Sequence, residues 1–212
     1  GLTGGIAGGK SVVSHYYGQR GAFIVDADIV SRQVLSDVKI VNRLKVAFPG
    51  AVTQGVLDRK KLRTLAFSTR ELTNKLNAIT HPAIIEECQR QIASRSGWIV
   101  FVVPLMFESG LDKLCDATVT VSCPLELRIK RLISRDNISV KEAQDVIARQ
   151  MDDEERRLRA DYEIVNDGSI DELEAKAEKL AEKLGLMRKL STRHFCWRHY
   201  FLLFCFRLRC MR

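Results

Sequence analysis

The sequence predicts an α/β fold, a parallel β-sheet flanked by helices. Short apolar segments bounded by turn residues recur along the chain, and longer amphipathic segments lie between them. Strands that alternate with helices form parallel sheets covered on both faces. The chain has 212 residues, of which 46% are apolar and 28% charged, and this length and composition suit one folded core.

The individual elements follow from local patterns. Strands are predicted where short segments are rich in β-branched or aromatic residues. They are "GLT" at the start, "AFIV" at 22–25, "WIVFVV" at 98–103, "ATVTVS" at 117–122 and "YEIV" at 162–165. Helices are predicted where a serine precedes a glutamate by three residues, the pattern of a capping box. The pairs and their helices are Ser68–Glu71 (69–79), Ser139–Glu142 (140–150) and Ser169–Glu172 (170–184). Pro82 and Pro124 are predicted in the first turns of further helices.

Two helical insertions are predicted to interrupt the core. About seventy residues separate the second strand from the third, whereas a plain crossover needs one helix. The extra helices, 37–96, are expected to cover the substrate. A second helical segment, about 124–160, is rich in arginine and is predicted to be a lid over a polyphosphate. The core then comprises 1–36 and 97–184.

The positive charge is concentrated at the end of the chain. Residues 186–212 carry seven of the 34 basic residues and no acid, so the body is nearly neutral and gives no general case for nucleic-acid binding. The change in composition after Gly185 predicts that 185–212 is an atypical basic tail outside the fold. The alternatives left open are a segment that lies on an anionic membrane surface and a Cys/His metal cluster. Its apolar run "FLLFCF" is too short to span a bilayer, and no membrane is expected to be required.

The cysteines indicate a reducing compartment. Cys88, Cys115 and Cys123 are scattered singly, and no CxxC pair occurs in the chain. With no secretory signal visible, this usage predicts reduced thiols and a cytoplasmic protein. The sequence starts without Met inside a predicted strand, so we expect a truncated N-terminus. A monomer is expected, although no sequence feature specifies the oligomeric state.

A glycine-rich motif carries the main functional signal. Reading from Gly4 gives G-x-x-x-x-G-K-S, in which backbone N–H groups surround phosphate oxygens, Lys10 supplies a positive charge and the Ser11 hydroxyl ligates Mg²⁺. A helix over about 10–17 would point its N-terminus at the same anion. The motif predicts a fold of P-loop NTPase type that binds ATP with Mg²⁺. The candidate nucleotide-binding residues here are Gly5, Ala7, Gly8, Gly9, Lys10, Ser11 and Val12.

Other interpretations of the motif are weaker. A flexible glycine turn is disfavoured because the match is unlikely by chance and lies between a predicted strand and a predicted helix. The dinucleotide fingerprint G-x-G-x-x-G fails on spacing, although Asp26 and Asp28 lie about twenty residues further on. A GTPase would need N-K-x-D, and "NKLN" at 74–77 lacks the acid. A nucleoside triphosphate is therefore favoured.

Acidic and basic residues after the second strand suggest kinase chemistry. Ligands of parallel sheets bind at the carboxyl ends of the strands, and there one of Asp26 and Asp28 would orient an attacking hydroxyl and accept its proton. The alternative is that Asp28 caps the following helix. Arg32 is predicted to clamp substrate phosphate, with a surface ion pair to Asp28 as the alternative.

The lid contributes further cations. Arg135 and Arg131 are the best candidates to neutralise the transferring phosphoryl group, and most of the lid arginines are expected on solvated helix faces. His81 in "ITHP" is predicted to be structural or to contact substrate, because no metal-ligand spacing surrounds it.

Seven segments, in order, resemble those of bacterial dephospho-coenzyme A kinases across about 1–184. They are "GLTGGIAGGKS", "VDADIVSRQV", "LDRKKL", "LNAITHPAI", "VPLMFESGL", "SRDNISVKEA" and "YEIVNDGS". The resemblance implies transfer of the γ-phosphoryl group of ATP to the ribose 3′-hydroxyl of dephospho-coenzyme A, the last step of coenzyme A synthesis. It also implies that 37–96 binds the acceptor.

The same resemblance assigns roles to single residues. Asp28 resembles the acidic base, and Arg32 resembles the arginine that contacts substrate or the transferring phosphate. His81 and Pro104 are implied to bind the acceptor, and Asn166 in "NDGS" lies in the loop on the adenine side. Val102 departs from the pattern where many members have an acid, and Ile85 departs where a basic residue is common. A P-loop kinase with another acceptor, or an NTP-driven switch, is the alternative function.

Overall fold

The computed structural model describes residues 1–186 of the protein. Its strands are β1 (Leu2–Gly4), β2 (Phe23–Asp26), β3 (Val52–Thr53), β4 (Val56–Leu57), β5 (Ile99–Val102), β6 (Val119–Ser122) and β7 (Tyr162–Val165). Five of them form one parallel sheet in the order β2-β5-β1-β6-β7, while β3 and β4 form a separate antiparallel hairpin. The predicted parallel sheet is confirmed, and each predicted strand segment overlaps one of its five strands.

Helices flank this sheet along the chain. They are α1 (Lys10–Gln19), α2 (Ala27–Val34), α3 (Val38–Ala47), α4 (Arg59–Ala66), α5 (Arg70–Ala93), α6 (Met106–Ser109), α7 (Leu125–Asp136), α8 (Val140–Ala148), α9 (Asp153–Arg159) and α10 (Ile170–Lys183). Within residues 1–186 no helix has the length and apolar character needed to cross a membrane.

The chain divides into two compact units. The first is Gly1–Ala177, and the second starts at Glu178. The described part of the second unit, 178–186, contains the end of α10 and the turn at Gly185. The basic tail predicted over 185–212 lies, from residue 187 onward, outside the described residues.

Strand β1 lies in the middle of the sheet and sets the position of the loop that follows it. Leu2 and Thr3 are almost fully buried, and Gly4 pairs in register with Val121 of β6. On the other side, β5 links β1 to β2, whose last residue is Asp26. Parallel strands end at the same edge of a sheet, so the glycine-rich loop and the end of β2 emerge at one edge.

Helix α5 differs from its prediction in both its start and its length. It runs without a break over 24 residues, so Pro82 lies inside the helix and not in a first turn. Its N-cap is Thr69, whose hydroxyl accepts a hydrogen bond from Leu72 N–H, whereas the Ser68 hydroxyl donates to the Leu65 carbonyl. The Ser68–Glu71 capping box is therefore wrong. Packing of α5 against α2, α3 and α4 stabilises the helix where a proline disfavours it.

The two later capping boxes are confirmed. The Ser139 hydroxyl accepts from Glu142 N–H, and the Glu142 carboxylate accepts from Ser139 N–H. Ser169 and Glu172 exchange the same pair of bonds. Pro124 is the N-cap residue of α7, directly before the first turn that the sequence predicts for it.

The segment between β2 and β5 is mostly helical, as predicted, but it also contains the hairpin β3–β4. Gln54 and Gly55 form its two-residue turn, and both have positive φ, as tight hairpin turns of right-handed twist require. Buried side chains of this segment, among them Leu44 and Leu62, pack in one cluster with Val30 of α2. That packing anchors the insertion to the sheet domain.

Asp161 gives this fold a measurable pH dependence. Its carboxylate accepts the Thr118 hydroxyl and N–H, both at 2.7 Å, next to the start of β6 and β7. These bonds hold the pKa of Asp161 below its ordinary value, and the bond from the Thr118 hydroxyl has the larger effect. The stabilisation is therefore complete above the unfolded pKa of about 3.9 and is lost as the pH falls through the lower folded pKa.

We expect Asp161→Asn to lower the urea midpoint of unfolding at neutral pH and to approach the wild type progressively as the pH falls below the unfolded pKa of about 3.9. Urea titrations across this range provide the measurement. Asp145→Asn is the matched control, since Asp145 is exposed on α8 and makes no hydrogen bond or ion pair within residues 1–186. A gap between Asp161→Asn and wild type that is constant with pH would contradict the assignment.

Candidate active site

A cavity of about 1060 Å³ lies at the carboxyl edge of the parallel sheet. Its walls come from the segments that follow β1, β2, β5 and β7, from the middle of α5 and from the helices between β6 and β7. The predicted site residues that line it are Gly5, Ala7, Gly8, Gly9, Lys10, Ser11, Val12, Asp28, His81, Pro104, Arg131, Arg135 and Asn166. Residues far apart in the sequence are thus brought to one site.

The glycine-rich loop leads directly into α1. Gly9 is the N-cap residue of α1 with φ of 103°, and no side chain of the described residues caps this helix. The first N–H groups of a helix have no intrahelical partner, so this end of α1 can bind an anion. Ala7 also has positive φ (58°), which is uncommon outside glycine and indicates a constrained loop.

Side chains from outside the loop bind its carbonyl groups. The donors and acceptors are Arg128 Nε to Ile6 O (2.9 Å), Arg131 Nη1 to Ala7 O (3.3 Å) and Asn166 Nδ2 to Gly8 O (2.8 Å). Asn166 also accepts a bond from Arg131 Nη2 at 3.3 Å. Asn166 therefore contacts the glycine-rich loop itself, in addition to lining the cavity.

Asp26 and Asp28 have different structural roles. Asp26 Oδ1 accepts hydrogen bonds from the backbone N–H groups of Asp28 (2.8 Å) and Ile29 (3.2 Å), and it is therefore the N-cap of α2. The alternative in which Asp28 caps this helix is wrong. Asp28 is exposed and lines the cavity, and its carboxylate makes no hydrogen bond or ion pair with the described residues. A carboxylate without a structural partner is available to a substrate.

Arg32 is the one predicted site residue that does not line the cavity. It is exposed on α2, one residue beyond Ser31, which does line it. Among the described residues, the surface ion pair between Arg32 and Asp28 is not formed, and the Arg32 carbonyl accepts a bond from Arg59 at 3.1 Å.

The arginines of the segment 124–160 do not all lie on solvated faces. Arg128 and Arg156 are 3% and 1% exposed, and the sequence held no signal for the burial of these two. Arg135 lines the cavity, and its guanidinium binds the adjacent Asp136 at 2.7 and 2.8 Å. These bonds hold the pKa of Asp136 below its usual range. Arg135 must leave or share this partner if it binds phosphate.

Three cations around the loop have no carboxylate partner within the described residues. They are Lys10, Arg131 and Arg149, and all three line the cavity. Another part of the wall is apolar, with Ile84, Ile85, Leu105 and Leu111 in the segments that carry His81 and Pro104. The cavity thus offers positive charge around the glycine-rich loop, which suits a polyanion, and apolar surface from α5 and the segment after β5, which suits a less polar group.

Sequence reasoning missed several residues of this site. Gln150 lines the cavity, and its Oε1 accepts a hydrogen bond from Ile6 N–H at 2.7 Å. Ser31 and Glu108 also line it. The motif patterns held no signal for Gln150, since its partner lies 144 residues away in the chain.

The fold and the site together define a P-loop kinase for a small molecule. A family model, dephospho-CoA kinase, matches residues 1–172, and the chain belongs to this family. A protein described as dephospho-CoA kinase from Corynebacterium diphtheriae is 40% identical, covering 87% of this chain and 96% of its own. An uncharacterised protein of Caenorhabditis elegans is 42% identical, covering 87% and 81%.

Solved structures agree with the fold. TT1252 from Thermus thermophilus has a TM-score of 0.76 and 32% identity, covering 86% of this chain and 95% of that one. A dephospho-CoA kinase from Campylobacter jejuni has a TM-score of 0.59 and 24% identity, covering 86% and 96%, and supports the fold alone. ATP is the phosphoryl donor that membership of this kinase family implies.

Gly9 provides a test of the loop geometry. A Cβ at Gly9 would lie 2.1 Å from Asn166 Nδ2, and the positive φ adds backbone strain. We expect Gly9→Ala to weaken ATP binding by about tenfold or more, since it disrupts the hydrogen bond that fixes the Gly8 carbonyl.

Gly21→Ala is the matched control. Gly21 has φ of 93°, but nothing in the described part of the chain lies within 4 Å of the position that a Cβ would occupy. This variant should cost about 1–2 kcal/mol of stability and leave ATP affinity unchanged. Titration with a fluorescent ATP analogue gives the affinities, and equal losses for both variants would show that the Asn166 contact has no influence on binding.

Proposed function

We propose that this chain catalyses ATP-dependent phosphorylation of the ribose 3′-hydroxyl of dephospho-coenzyme A, which gives coenzyme A and ADP in the last step of coenzyme A biosynthesis. One observation carries the proposal. The uncapped N-terminus of α1 with Lys10 and the unpartnered carboxylate of Asp28, both within residues 1–186, open onto the same cavity, in a chain of the dephospho-CoA kinase family.

The loop and α1 bind the triphosphate in this proposal. Backbone N–H groups at the start of α1 and the Lys10 ammonium bind the β- and γ-phosphates. Phosphoryl transfer has a loose transition state, so the alignment of donor and acceptor contributes more than the strength of a base. Arg131, Arg149 and, once released from Asp136, Arg135 neutralise the charge on the transferring group.

Asp28 acts on the acceptor. Its carboxylate accepts a hydrogen bond from the 3′-hydroxyl and orients the oxygen toward the γ-phosphorus. As the new O–P bond forms, the bond between the γ-phosphorus and the bridging oxygen breaks, ADP leaves, and the hydroxyl proton passes to Asp28. Because Asp26 alone caps α2, the Asp28 side chain can move toward the substrate without loss of the cap.

Ser11 fits a role in magnesium binding. Its exposed side chain lies in the first turn of α1 and lines the cavity, and hydroxyl oxygens beside bound phosphates are suitable Mg²⁺ ligands. Within the described residues no cluster of His, Cys, Asp or Glu could hold a metal by itself. The other ligands would be phosphate oxygens and waters. When bound, Mg²⁺ neutralises negative charge on the phosphates.

The insertion and the lid complete the proposed site. The segment 37–96 binds the acceptor through His81 of α5, together with Pro104 after β5. The Thr3 hydroxyl donates to the Pro104 carbonyl at 3.2 Å, which ties this wall to β1. Arg32, exposed next to Ser31, contacts acceptor phosphate at the mouth of the cavity. The segment 124–160 acts as the lid, and 1–36 with 97–184 forms the nucleotide-binding core.

We also propose a reducing, cytoplasmic location. Cys88, Cys115 and Cys123 are free thiols, and burial raises the pKa of Cys88 to about 11, so this thiol stays protonated and unreactive. The nearly neutral body supports the absence of a nucleic-acid partner. The monomeric state stays a prediction.

The choice of acceptor is tested by a coupled assay of ADP formation. Dephospho-coenzyme A should stimulate ATP consumption, whereas adenosine, shikimate and thymidylate should not. Stimulation by one of these three, with none by dephospho-coenzyme A, would assign another acceptor to the same fold.

Lys10→Ala should lower kcat by about 10²–10³-fold, because the ammonium contributes most where charge develops on the transferring group. Lys141→Ala is the control, since Lys141 is exposed on α8 outside the cavity. Steady-state kinetics with dephospho-coenzyme A measure both. A Lys10→Ala loss below about tenfold would exclude the assigned contact with the γ-phosphate.

Asp28→Asn should lower kcat by about 10²-fold or more while the Kd of ATP changes less than about threefold. The amide keeps the shape of the side chain but cannot accept the proton. Asp145→Asn again serves as the control. Comparable losses in kcat and ATP affinity would move Asp28 from acceptor chemistry to nucleotide binding.

A further inference from the structure

An ion-pair network of two buried arginines and one partly exposed carboxylate lies against the glycine-rich loop and outside the cavity. Asp153 pairs with both Arg128 and Arg156. The two arginine side chains are 4% and 2% exposed, and neither lines the cavity. Neither arginine can therefore touch the substrates that the proposed function places there, and the network needs another explanation.

The network holds Ile6 of the loop by both of its backbone groups. Arg128 Nε donates to the Ile6 carbonyl at 2.9 Å, and Gln150 Oε1 accepts from Ile6 N–H at 2.7 Å. Arg156 Nη2 donates to the Met151 carbonyl at 2.7 Å and so fixes the chain beside Gln150. The contacts form a closed ring. It runs from Ile6 through Arg128, Asp153 and Arg156 to Met151, and the neighbouring Gln150 leads back to Ile6.

This ring controls the direction of a loop amide. In a trans peptide the C=O and the following N–H point to opposite sides. Arg128, which does not line the cavity, binds the Ile6 carbonyl, so the N–H of Ala7 on the opposite side of this peptide points away from Arg128. Ala7 lines the cavity, and its N–H makes no hydrogen bond within the described residues. The positive φ of Ala7 makes this orientation unfavourable in an unrestrained chain.

We propose that Asp153 and Arg128 are positioning residues that hold the loop in its phosphate-binding conformation. The inference rests on the proposed function only in taking the phosphates of ATP as the ligand of this loop. Asp153 supplies the negative charge that fixes Arg128. Without this carboxylate, two buried guanidinium groups would have only uncharged hydrogen-bond acceptors, which would destabilise the folded protein. Arg128 also explains Gly5, where a Cβ would lie 2.5 Å from Arg128 Nη2.

Asp153→Asn tests the network, with Glu155→Gln as the matched control. Glu155 pairs with Arg159 on the exposed side of the same helix, α9, and neither residue touches the loop. We expect Asp153→Asn to raise the Kd and KM of ATP by about tenfold, the value of a hydrogen bond to a charged group, and to leave the KM of dephospho-coenzyme A within about twofold. Glu155→Gln should match the wild type.

A purely structural role predicts a different result. If Asp153 served stability alone, Asp153→Asn would lower the melting temperature and the folded fraction. The apparent kcat would then fall at every substrate concentration, while the Kd of ATP for the folded protein would stay unchanged. That outcome in Asp153→Asn would overturn the proposal.

A second test does not depend on the folding of Asp153→Asn. Gly5→Ala leaves the ion pairs intact but places a methyl group against Arg128. It should weaken ATP binding by about tenfold when added to the wild type, but by less than about threefold when added to Arg128→Gln and compared with Arg128→Gln alone, because the shorter side chain relieves the contact. Additive effects would contradict the proposed contact.

ATP binding by titration separates this inference from the proposed function. Absence of turnover with dephospho-coenzyme A in the wild type would reject the acceptor assignment, while the titrations would still report on the network. Unchanged ATP affinity in both Asp153→Asn and Gly5→Ala would reject the positioning role, whatever the acceptor.

Discussion

The parallel pairing of β1 with strands on both of its sides is the constraint on which the site depends. β1 is only three residues long, and its register sets where the glycine-rich loop leaves the sheet. A shift of one residue would exchange the faces of Leu2 and Thr3, both of which are buried. The same sheet, through β5, fixes the end of β2 and therefore the start of α2, where Asp28 lies. The backbone hydrogen bonds of the sheet thus fix the position of the glycine-rich loop relative to the segment that carries Asp28.

Features that are decided within a few residues could be predicted from the sequence. The capping boxes at Ser139 and Ser169 form because each needs only a serine and a glutamate three residues apart. The five strands of the parallel sheet are predictable because buried parallel strands are short apolar segments. The glycine loop is predictable for a similar reason, since the motif prescribes the backbone conformation and the chemistry together.

Features that depend on tertiary contacts could not be predicted. Pro82 normally ends a helix, but packing along α5 outweighs the lost hydrogen bond. The choice of Asp26 over Asp28 as cap depends on where β2 ends, a matter of one or two residues. Burial of Arg128 could not be inferred either, because its carboxylate partner Asp153 lies 25 residues away and its carbonyl partner Ile6 lies 122 residues away.

Two pairs of arginines in the segment 124–160 have different surroundings. Arg128 and Arg156 are buried, share the carboxylate of Asp153 and do not line the cavity, so both are committed to contacts within the protein. Arg131 and Arg149 line the cavity without a carboxylate partner in the described part of the chain, and their charge adds to that of Lys10. The resulting positive end, together with an apolar wall elsewhere in the cavity, distinguishes a triphosphate from the less polar part of an acceptor.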